Sequence, residues 1–448
     1  MRLPREGDAV TSIYALSSGH GKAGVAVIRI SGPHTGNVLR RVAGGIPEPR
    51  VARLSAIRNP ENGEVLDRGL VLWFPAPRSF TGEDMAELHV HGGRAVLEGV
   101  LRALSGLPVL RMAEPGEFAR RAFEHGKLDL TAAEGLADLI DAETEAQRRQ
   151  ALRQADGALR VLYEGWRARL IAASAALEAE LDFADEADVP ERVAEAARPA
   201  VRALANEIAG HLRDARGGEI LRDGFRIVIA GPPNAGKSSL LNALARRDAA
   251  IVSAESGTTR DVIEVRLDLG GYPVILMDTA GIREAGGEIE REGIRRTLDR
   301  MRDADLVLWI EDAAASPDGQ QAAPQEDDVP TITVANKIDL PDAAPSAGAI
   351  PISASTGDGL DGLLDAILTH VRSRLAASES VAITRARHRQ GLEAARAALE
   401  DFLRGAPTAL ELRAEDLRSA ATAIGRLTGR VDVEDILDKI FADFCIGK

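Results

Sequence analysis

The run Gly231-Pro-Pro-Asn-Ala-Gly-Lys-Ser238 constrains this chain more than any other segment. It follows an apolar, β-branched stretch at 225–230 and precedes an apolar stretch at 239–244, so a strand is expected to turn directly into a helix. In that setting the backbone N–H groups at the helix N-terminus can cradle an anion. Asn234, Ala235, Gly236 and Ser239 line such a cradle, Lys237 reaches the outer phosphates of a nucleotide, and the Ser238 hydroxyl suits magnesium. A plain glycine-rich turn is the alternative, and the motifs that follow in order weigh against it.

Gly257-Thr-Thr-Arg-Asp261 offers Thr259 as a second hydroxyl on the magnesium side. Asp278-Thr-Ala-Gly281 ends another apolar run, where an aspartate can hold the metal through water, with Thr279, Ala280 and Gly281 beside the phosphates. Asn336-Lys-Ile-Asp339 ends a third. There the Asp339 carboxylate can accept from both N1–H and the 2-amino group of guanine, a donor pair that adenine lacks on that edge. Asn336 and Lys337 complete this group, and Ser353-Ala354 can supply a backbone donor for the guanine O6. The nucleotide is therefore expected to be GTP. Ile282 stands where Ras-like enzymes place the glutamine that orients water. Glu284, Glu288, Glu290 and Glu292 lie nearby, and residue type alone does not choose among them.

Around this segment the texture changes. Residues 1–117 alternate β-rich runs (25–30, 70–74, 87–91) with Gly and Pro, which reads as a small α+β domain. Residues 118–218 are rich in Ala, Leu, Glu and Arg at helical spacing, with Val201, Leu204, Ile208 and Leu212 as one stripe and a stop expected at Gly217-Gly218. The α/β segment occupies 219–376, with further strands expected at 274–277, 306–310 and 331–335, and helical texture returns over 377–448. The expected fold is thus multidomain α/β: an N-terminal α+β domain, a mostly helical domain, and a Ras-like P-loop domain inserted into the helical one. At 448 residues the chain is long enough for about three cores.

The net charge of −14 argues against nucleic-acid binding by total charge. The basic runs 111–121 and 385–389 are local candidates, with solvated helix faces as the plainer reading. No run approaches the roughly 18 apolar residues of a membrane span, and no apolar signal core follows Met1. A single cysteine, Cys445, excludes an internal disulfide and agrees with a cytoplasmic setting. Its sequence Cys-Ile-Gly-Lys lacks the residues of a prenylation box. Cys445 can be read as a small buried hydrophobe on the last helix with Ile440 and Phe444, or as a presented thiol.

Taken together, Phe80-Thr-Gly-Glu-Asp84, Glu87-Leu-His-Val-His-Gly-Gly93, Glu114-Pro-Gly-Glu-Phe-Ala-Arg-Arg-Ala-Phe123, Lys127-Leu-Asp-Leu130, the phosphate loop and the terminal Cys-Ile-Gly-Lys448 resemble the MnmE or TrmE family of tRNA-modification GTPases, essentially end to end. The resemblance implies an N-terminal domain that forms a homodimer and binds a 5-formyltetrahydrofolate-type cofactor through Arg29, Glu87, Lys127 and Lys448. It implies a flavoprotein partner, MnmG, that carries the FAD, a heterotetramer with it, and modification of carbon 5 of the wobble uridine of certain tRNAs. In the GTPase segment it assigns Ser253, Ala254, Glu255, Ser256, Gly257 and Thr258 to the nucleotide site, and a potassium ion to Asn234, Ser253, Glu255 and Thr258. It gives magnesium to Ser238, Thr259 and Asp278, selects Glu290 as the residue that positions water, and makes Cys445 a candidate thiol for the modification step.

Two departures stand out. Ser17-Ser-Gly-His-Gly-Lys-Ala-Gly24 replaces a Pro- and Gly-rich run, and Glu255 stands where an apolar residue is common. Independently of the family, Arg29 interrupts an apolar run, and Glu87, His89 and His91 alternate with apolar residues, so each is expected to leave one face of a strand. Two histidines without a third ligand are more often structural than metal-binding. A ribosome-assembly GTPase and a non-enzymatic folate-sensing switch are the competing readings; the former should carry a basic RNA-binding module.

Overall fold

The computed structural model describes residues 11–19, 21–182, 193–247, 264–278, 301–315, 329–375, 383–406, 409–431, 433–442 and 444–447, with the backbone alone at 182, 193, 194 and 435. In chain order the first elements are β1 (Ser12–Leu16), β2 (Ala23–Ser31), α1 (Thr35–Ala43), β3 (Arg53–Arg58), β4 (Val65–Phe74), β5 (Met85–Gly92), α2 (Arg94–Ser105), β6 (Leu110–Met112), α3 (Glu117–Glu124) and α4 (Leu130–Asp141). Next come α5 (Glu145–Ala155), α6 (Ala158–Asp182), α7 (Val193–Arg213), α8 (Ala215–Asp223), β7 (Phe225–Ala230), α9 (Lys237–Ala245), β8 (Glu264–Leu269), β9 (Tyr272–Asp278), β10 (Leu306–Asp312), β11 (Thr331–Asn336) and β12 (Ile350–Pro351). The chain closes with α10 (Leu360–Leu375), α11 (Ala386–Arg404), α12 (Leu410–Thr428) and α13 (Glu434–Ala442). Two compact units result, 1–137 with 425–448, and 138–424.

In the first unit a six-stranded sheet runs β3-β4-β5-β2-β1-β6, antiparallel except where β1 meets β6. Its strands alternate. Ala26, Ile28 and Ile30 of β2 and Leu88 and Val90 of β5 point into a core completed by Leu39 of α1 and Leu104 of α2. Arg29, Glu87 and His89 therefore leave the opposite face. A second core packs Leu437, Phe441 and Phe444 against Ala119, Leu130 and Ala133.

In the second unit the sheet order is β12-β11-β10-β7-β9-β8, parallel except for the β8–β9 hairpin. Central strands buried on both faces read as apolar runs, as Ile227, Val228, Ile229 and Ala230 do after the exposed Arg226. The hairpin turns through Gly270 and Gly271 at φ 60° and 90°. The predicted stop at Gly217-Gly218 is not observed: α8 runs through both residues, and both are buried inside it. Helix-interior glycines cost about 1 kcal/mol each, a loss that tight packing offsets here. Position α9 also departs slightly, starting at Lys237 instead of 239.

The same carboxylate anchors the entry to and the exit from the α/β sheet. Asp138 Oδ1 accepts from Arg222 Nε (3.0 Å), at the end of α8, and from Arg385 Nη2 (2.7 Å), just before α11. Thr384 adds a buried bond to Gln154 Oε1 (3.1 Å), and Gln147 Nε2 donates to the Arg222 carbonyl (3.0 Å). Further along, the Ala146 amide donates to the Gly271 carbonyl (3.0 Å) in the β8–β9 turn.

Neither basic run forms an open cationic face. Arg111 and Arg121 both bond Glu117, and Arg121 also pairs with Glu83. Burial alone would raise the Glu117 carboxyl, but hydrogen bonds from Arg111, the Glu114 amide and Arg121 lower it below its ordinary value. Arg120 pairs with Asp438, and Arg389 with Glu219, while His388 is fully buried.

His211 of α7 packs edge-on against Tyr163 and Trp166 of α6, with ring centroids 6.0 and 5.5 Å apart. Burial lowers its pKa from 6.5 to about 4, with Asp214 opposing and His388 adding to the shift. A folded-state value below the unfolded one means the unfolded chain binds the proton first. This contribution is therefore complete above pH 6.5, is lost as pH falls toward 4, and amounts to about 3 kcal/mol. Urea unfolding of the wild type should weaken across that window, and His211→Phe should flatten the slope; parallel slopes would remove His211 as the cause.

Candidate functional site

The carboxyl ends of β7, β9, β10 and β11 lie along one edge of the second sheet, where open α/β folds bind ligands. After β7 the phosphate loop turns on backbone only glycine tolerates. Gly231 has φ 147°, and a Cβ there would stand 2.2 Å from the Ile310 carbonyl. Gly236 has φ 98°, and its Cβ would meet Asn336 Nδ2 at 2.2 Å. Asn234 is left-handed too, at φ 63°, and is exposed. Lys237 Nζ donates to the Gly231 and Pro232 carbonyls, each at 2.9 Å, which folds the ammonium over the loop. Ala235 is buried beneath the loop, and Ser239 is exposed on the first turn of α9.

Ser238 Oγ, on the first turn of α9, donates to Asp278 Oδ2 at the end of β9 (2.7 Å). Residues 40 apart in sequence thus present two hard oxygen donors side by side, the donor type magnesium prefers. Asn336, at the end of β11, is 2% exposed. Its Nδ2 donates to the Ala235 carbonyl (2.8 Å), and its Oδ1 accepts from the Ala354 amide (3.0 Å). One carboxamide therefore holds the phosphate loop and the 353–354 segment together.

Lys337 adopts φ 69° and pairs with Asp312 at the end of β10 (2.6 Å). Hydrogen bonding from Ser353, then from Ser355 (3.1 Å), draws the Asp339 carboxyl below its ordinary value and keeps it an ionised acceptor. Asp312 and Ser355 escaped the sequence reading. Ser355 follows Ser353-Ala354 directly and could have been included on that ground; Asp312 becomes relevant only once β10 is placed beside β11.

Ser253, Ala254, Glu255, Ser256, Gly257, Thr258, Thr259, Thr279, Ala280, Gly281, Glu290 and Lys448 lie outside the described residues. So do Ile282, Glu284, Glu288 and Glu292.

In the first unit β2 and β5 pair in a register that sets Arg29 opposite Glu87. Arg29 Nη2 donates to Glu87 Oε1 (3.0 Å), while His89 Nε2 engages Glu87 Oε2 (3.1 Å). Phe80 and Phe118 stack on the Arg29 guanidinium, 5.4 and 5.8 Å from their centroids. His91 turns instead to Asp67 (2.9 Å). Lys127 is not paired with Glu87; its Nζ donates to the Pro77 carbonyl (2.9 Å), and its Cγ lies near Gly82. Cys445 is exposed and lies beyond α13, so it is not a buried hydrophobe on the last helix. The tail is held by backbone instead: Ile446 bridges Pro115, and the Gly447 carbonyl accepts from Ser17 Oγ (2.9 Å).

The family model described as GTP-binding protein TrmE N-terminus matches residues 12–127, and the MnmE helical domain matches 130–445. A tRNA modification GTPase MnmE of Parvibaculum lavamentivorans is 58% identical, covering 98% of this chain and all (100%) of the relative. One of the same name from Rhodospirillum rubrum is 54% identical over 98% of this chain and 100% of the relative. The crystal structure of the G domain of the T. maritima FeoB iron transporter aligns at TM-score 0.23 and 23% identity, covering 32% of this chain and 97% of that one.

If the Asn336 carboxamide is what holds the nucleotide edge together, Asn336→Ala should lower guanine-nucleotide affinity by about ten- to a hundredfold, as for a lost buried hydrogen-bond pair. Isothermal titration calorimetry against wild type measures it. Unchanged affinity in a folded variant would show that the loop needs no such tie.

Proposed function

The chain belongs to the MnmE family of tRNA modification GTPases, and from that footing we propose that it is a potassium-dependent GTP hydrolase that works with the flavoprotein MnmG on the wobble uridine of certain tRNAs. A folate one-carbon unit is the carbon source, and the product is of the 5-carboxymethylaminomethyl type. The observation that carries the hydrolase half is the gathering of Ser238, Asp278 and Asn336 at one edge of a parallel sheet. The tRNA half is carried by relatives of that name matching nearly the full length.

In this reading the chain's own groups divide the work. Asp339 reads guanine, Lys237 meets the outer phosphate oxygens, and the phosphate-loop amides orient them. Ser238, Thr259 and Asp278 hold magnesium, which when bound supplies positive charge beside the phosphates. Asn234, Ser253, Glu255 and Thr258 hold potassium; the exposed, left-handed Asn234 offers a neutral oxygen suited to such an ion. Glu290 positions the attacking water in place of the glutamine that Ile282 replaces.

On the N-terminal sheet the Glu87 carboxylate suits the amide and amino donors of a pterin, and its partners Arg29 and His89 keep it oriented. Lys127 and Lys448 suit the glutamate end of the folate. Exposed Cys445 is the candidate thiol in the modification step. We assign residues 1–117 to dimerisation and folate binding, 118–218 and 377–448 to one helical domain, and 219–376 to the inserted GTPase domain. Among the described residues no helix is long and apolar enough to cross a membrane, and a cytoplasmic homodimer joined to MnmG is the form we propose.

The decisive experiment is nucleoside analysis of tRNA from a deletion strain supplied with this chain. Restored wobble-uridine modification is expected, whereas Glu290→Ala should bind GTP normally, turn it over at least about a hundredfold more slowly, and fail to restore the nucleoside. Modification unchanged by the chain would sink the reading. Hydrolysis measured in matched potassium and sodium salts should proceed in the first and stall in the second, since the smaller ion fits the same oxygens poorly. Equal rates would remove potassium from the site.

A further inference from the structure

The turn at 75–78, between β4 and the Phe80 loop, gathers Arg50 and Arg78, which the folate contacts do not include, beside Lys127, which they do. Lys127 Nζ donates to the Pro77 carbonyl (2.9 Å), and Arg50 Nη2 donates to the next carbonyl, that of Arg78. Arg50 is held there by an unusual backbone, left-handed at φ 63°, and by Phe74, whose ring centroid lies 5.7 Å from its guanidinium. The Arg78 side chain belongs to the same turn. All three residues are exposed. Against them stand Glu48, two residues before Arg50, and Asp84, whose Oδ1 is engaged by the Ala76 amide (2.9 Å). In a chain of net charge −14, a turn with three cations facing two carboxylates is a local positive surface.

Its position gives that surface a ligand. Phe80, which stacks on Arg29 at 5.4 Å, lies two residues beyond Arg78, so the two positions are separated by at most about 7 Å of chain. Gly82, on the same loop, packs against Lys127 Cγ. With the glutamate end placed at Lys127, whose Nζ donates to the Pro77 carbonyl, a molecule whose pterin engages Glu87 carries its far, anionic end to the 75–78 turn. We propose that Arg50 and Arg78 extend the folate site proposed above into a docking surface for the γ-glutamyl tail of a polyglutamylated folate, a proposal that rests on that site being real. Each added γ-glutamyl unit brings one more carboxylate, and guanidinium forks and an ammonium are the groups that pair with carboxylates.

The test compares 5-formyltetrahydrofolate monoglutamate with its pentaglutamate, by calorimetry on the full-length protein in low salt. The pentaglutamate should bind about fivefold more tightly, the gain of two exposed ion pairs, and the gap should narrow as salt rises. In the double variant Arg50→Gln/Arg78→Gln the gap should close while monoglutamate affinity stays at the wild-type value, which also shows that the sheet is intact. Equal affinity of the two folates for the wild type overturns the tail surface and leaves the folate site standing. So does a gap that survives in the double variant, and so does a double variant whose only loss is affinity for tRNA, which would reassign the turn to phosphate. Failure of the wild type to bind even the monoglutamate overturns the folate site, and the tail surface with it.

Discussion

The Asn336 carboxamide is the smallest element on which the nucleotide edge depends. Its donor and acceptor are both used, one on the Ala235 carbonyl within the phosphate loop and one on the Ala354 amide. The bond to Ala235 is buried and the one from Ala354 partly so, and a partner lost out of water is costly. Gly236 approaches the same carboxamide so closely that any side chain there would displace it. The left-handed turn, the glycine and the asparagine are thus one constraint seen from three positions, and the Ser238–Asp278 pairing is built beside it.

The N-terminal sheet uses a different device for a similar end. An Arg-Glu pair lies directly across two strands, with each carboxylate oxygen held by a different residue and two aromatic rings supporting the guanidinium. Such a pair on a sheet face is stiff because the ladder fixes both backbones. The cost of desolvating it is moderated by partial exposure, 16% for each side chain. This leaves Glu87 fixed between two partners and still partly exposed.

Much of this was legible in the sequence wherever one physical cause dominated. The strand at 225–230 coincides with β7 because a strand buried on both faces has one signature, and the GTPase motifs were read in order because phosphate and guanine chemistry permit few substitutes. Some strands were not picked out: β6 and β12, of three and two residues, are too short to carry a period, whereas β8 does alternate, Val265, Leu267 and Leu269 against Glu264, Arg266 and Asp268, and could have been read. The Gly217-Gly218 stop failed because tertiary burial overrode propensity. The basic runs, already read more plainly as helix faces, are neutralised by Glu117, which lies inside the first run, and by Glu83 and Glu219 from elsewhere in the chain. Of the Asp339 and Lys337 partners, Ser355 was within reach of the sequence beside Ser353-Ala354, whereas Asp312 required the strand order to be known.

Asp138 has a mechanical consequence. The chain enters the α/β sheet after α8 and leaves it before α11, and two joints anchored independently would let these approaches move separately. Here both joints are fastened through Arg222 and Arg385 to one carboxylate oxygen. Drawing the joints apart would strand a largely buried charge. With Gln147 on the Arg222 carbonyl and Thr384 on Gln154 beside it, one carboxylate thus ties the chain's way into the α/β sheet to its way out, so that losing Asp138 would loosen both ends together.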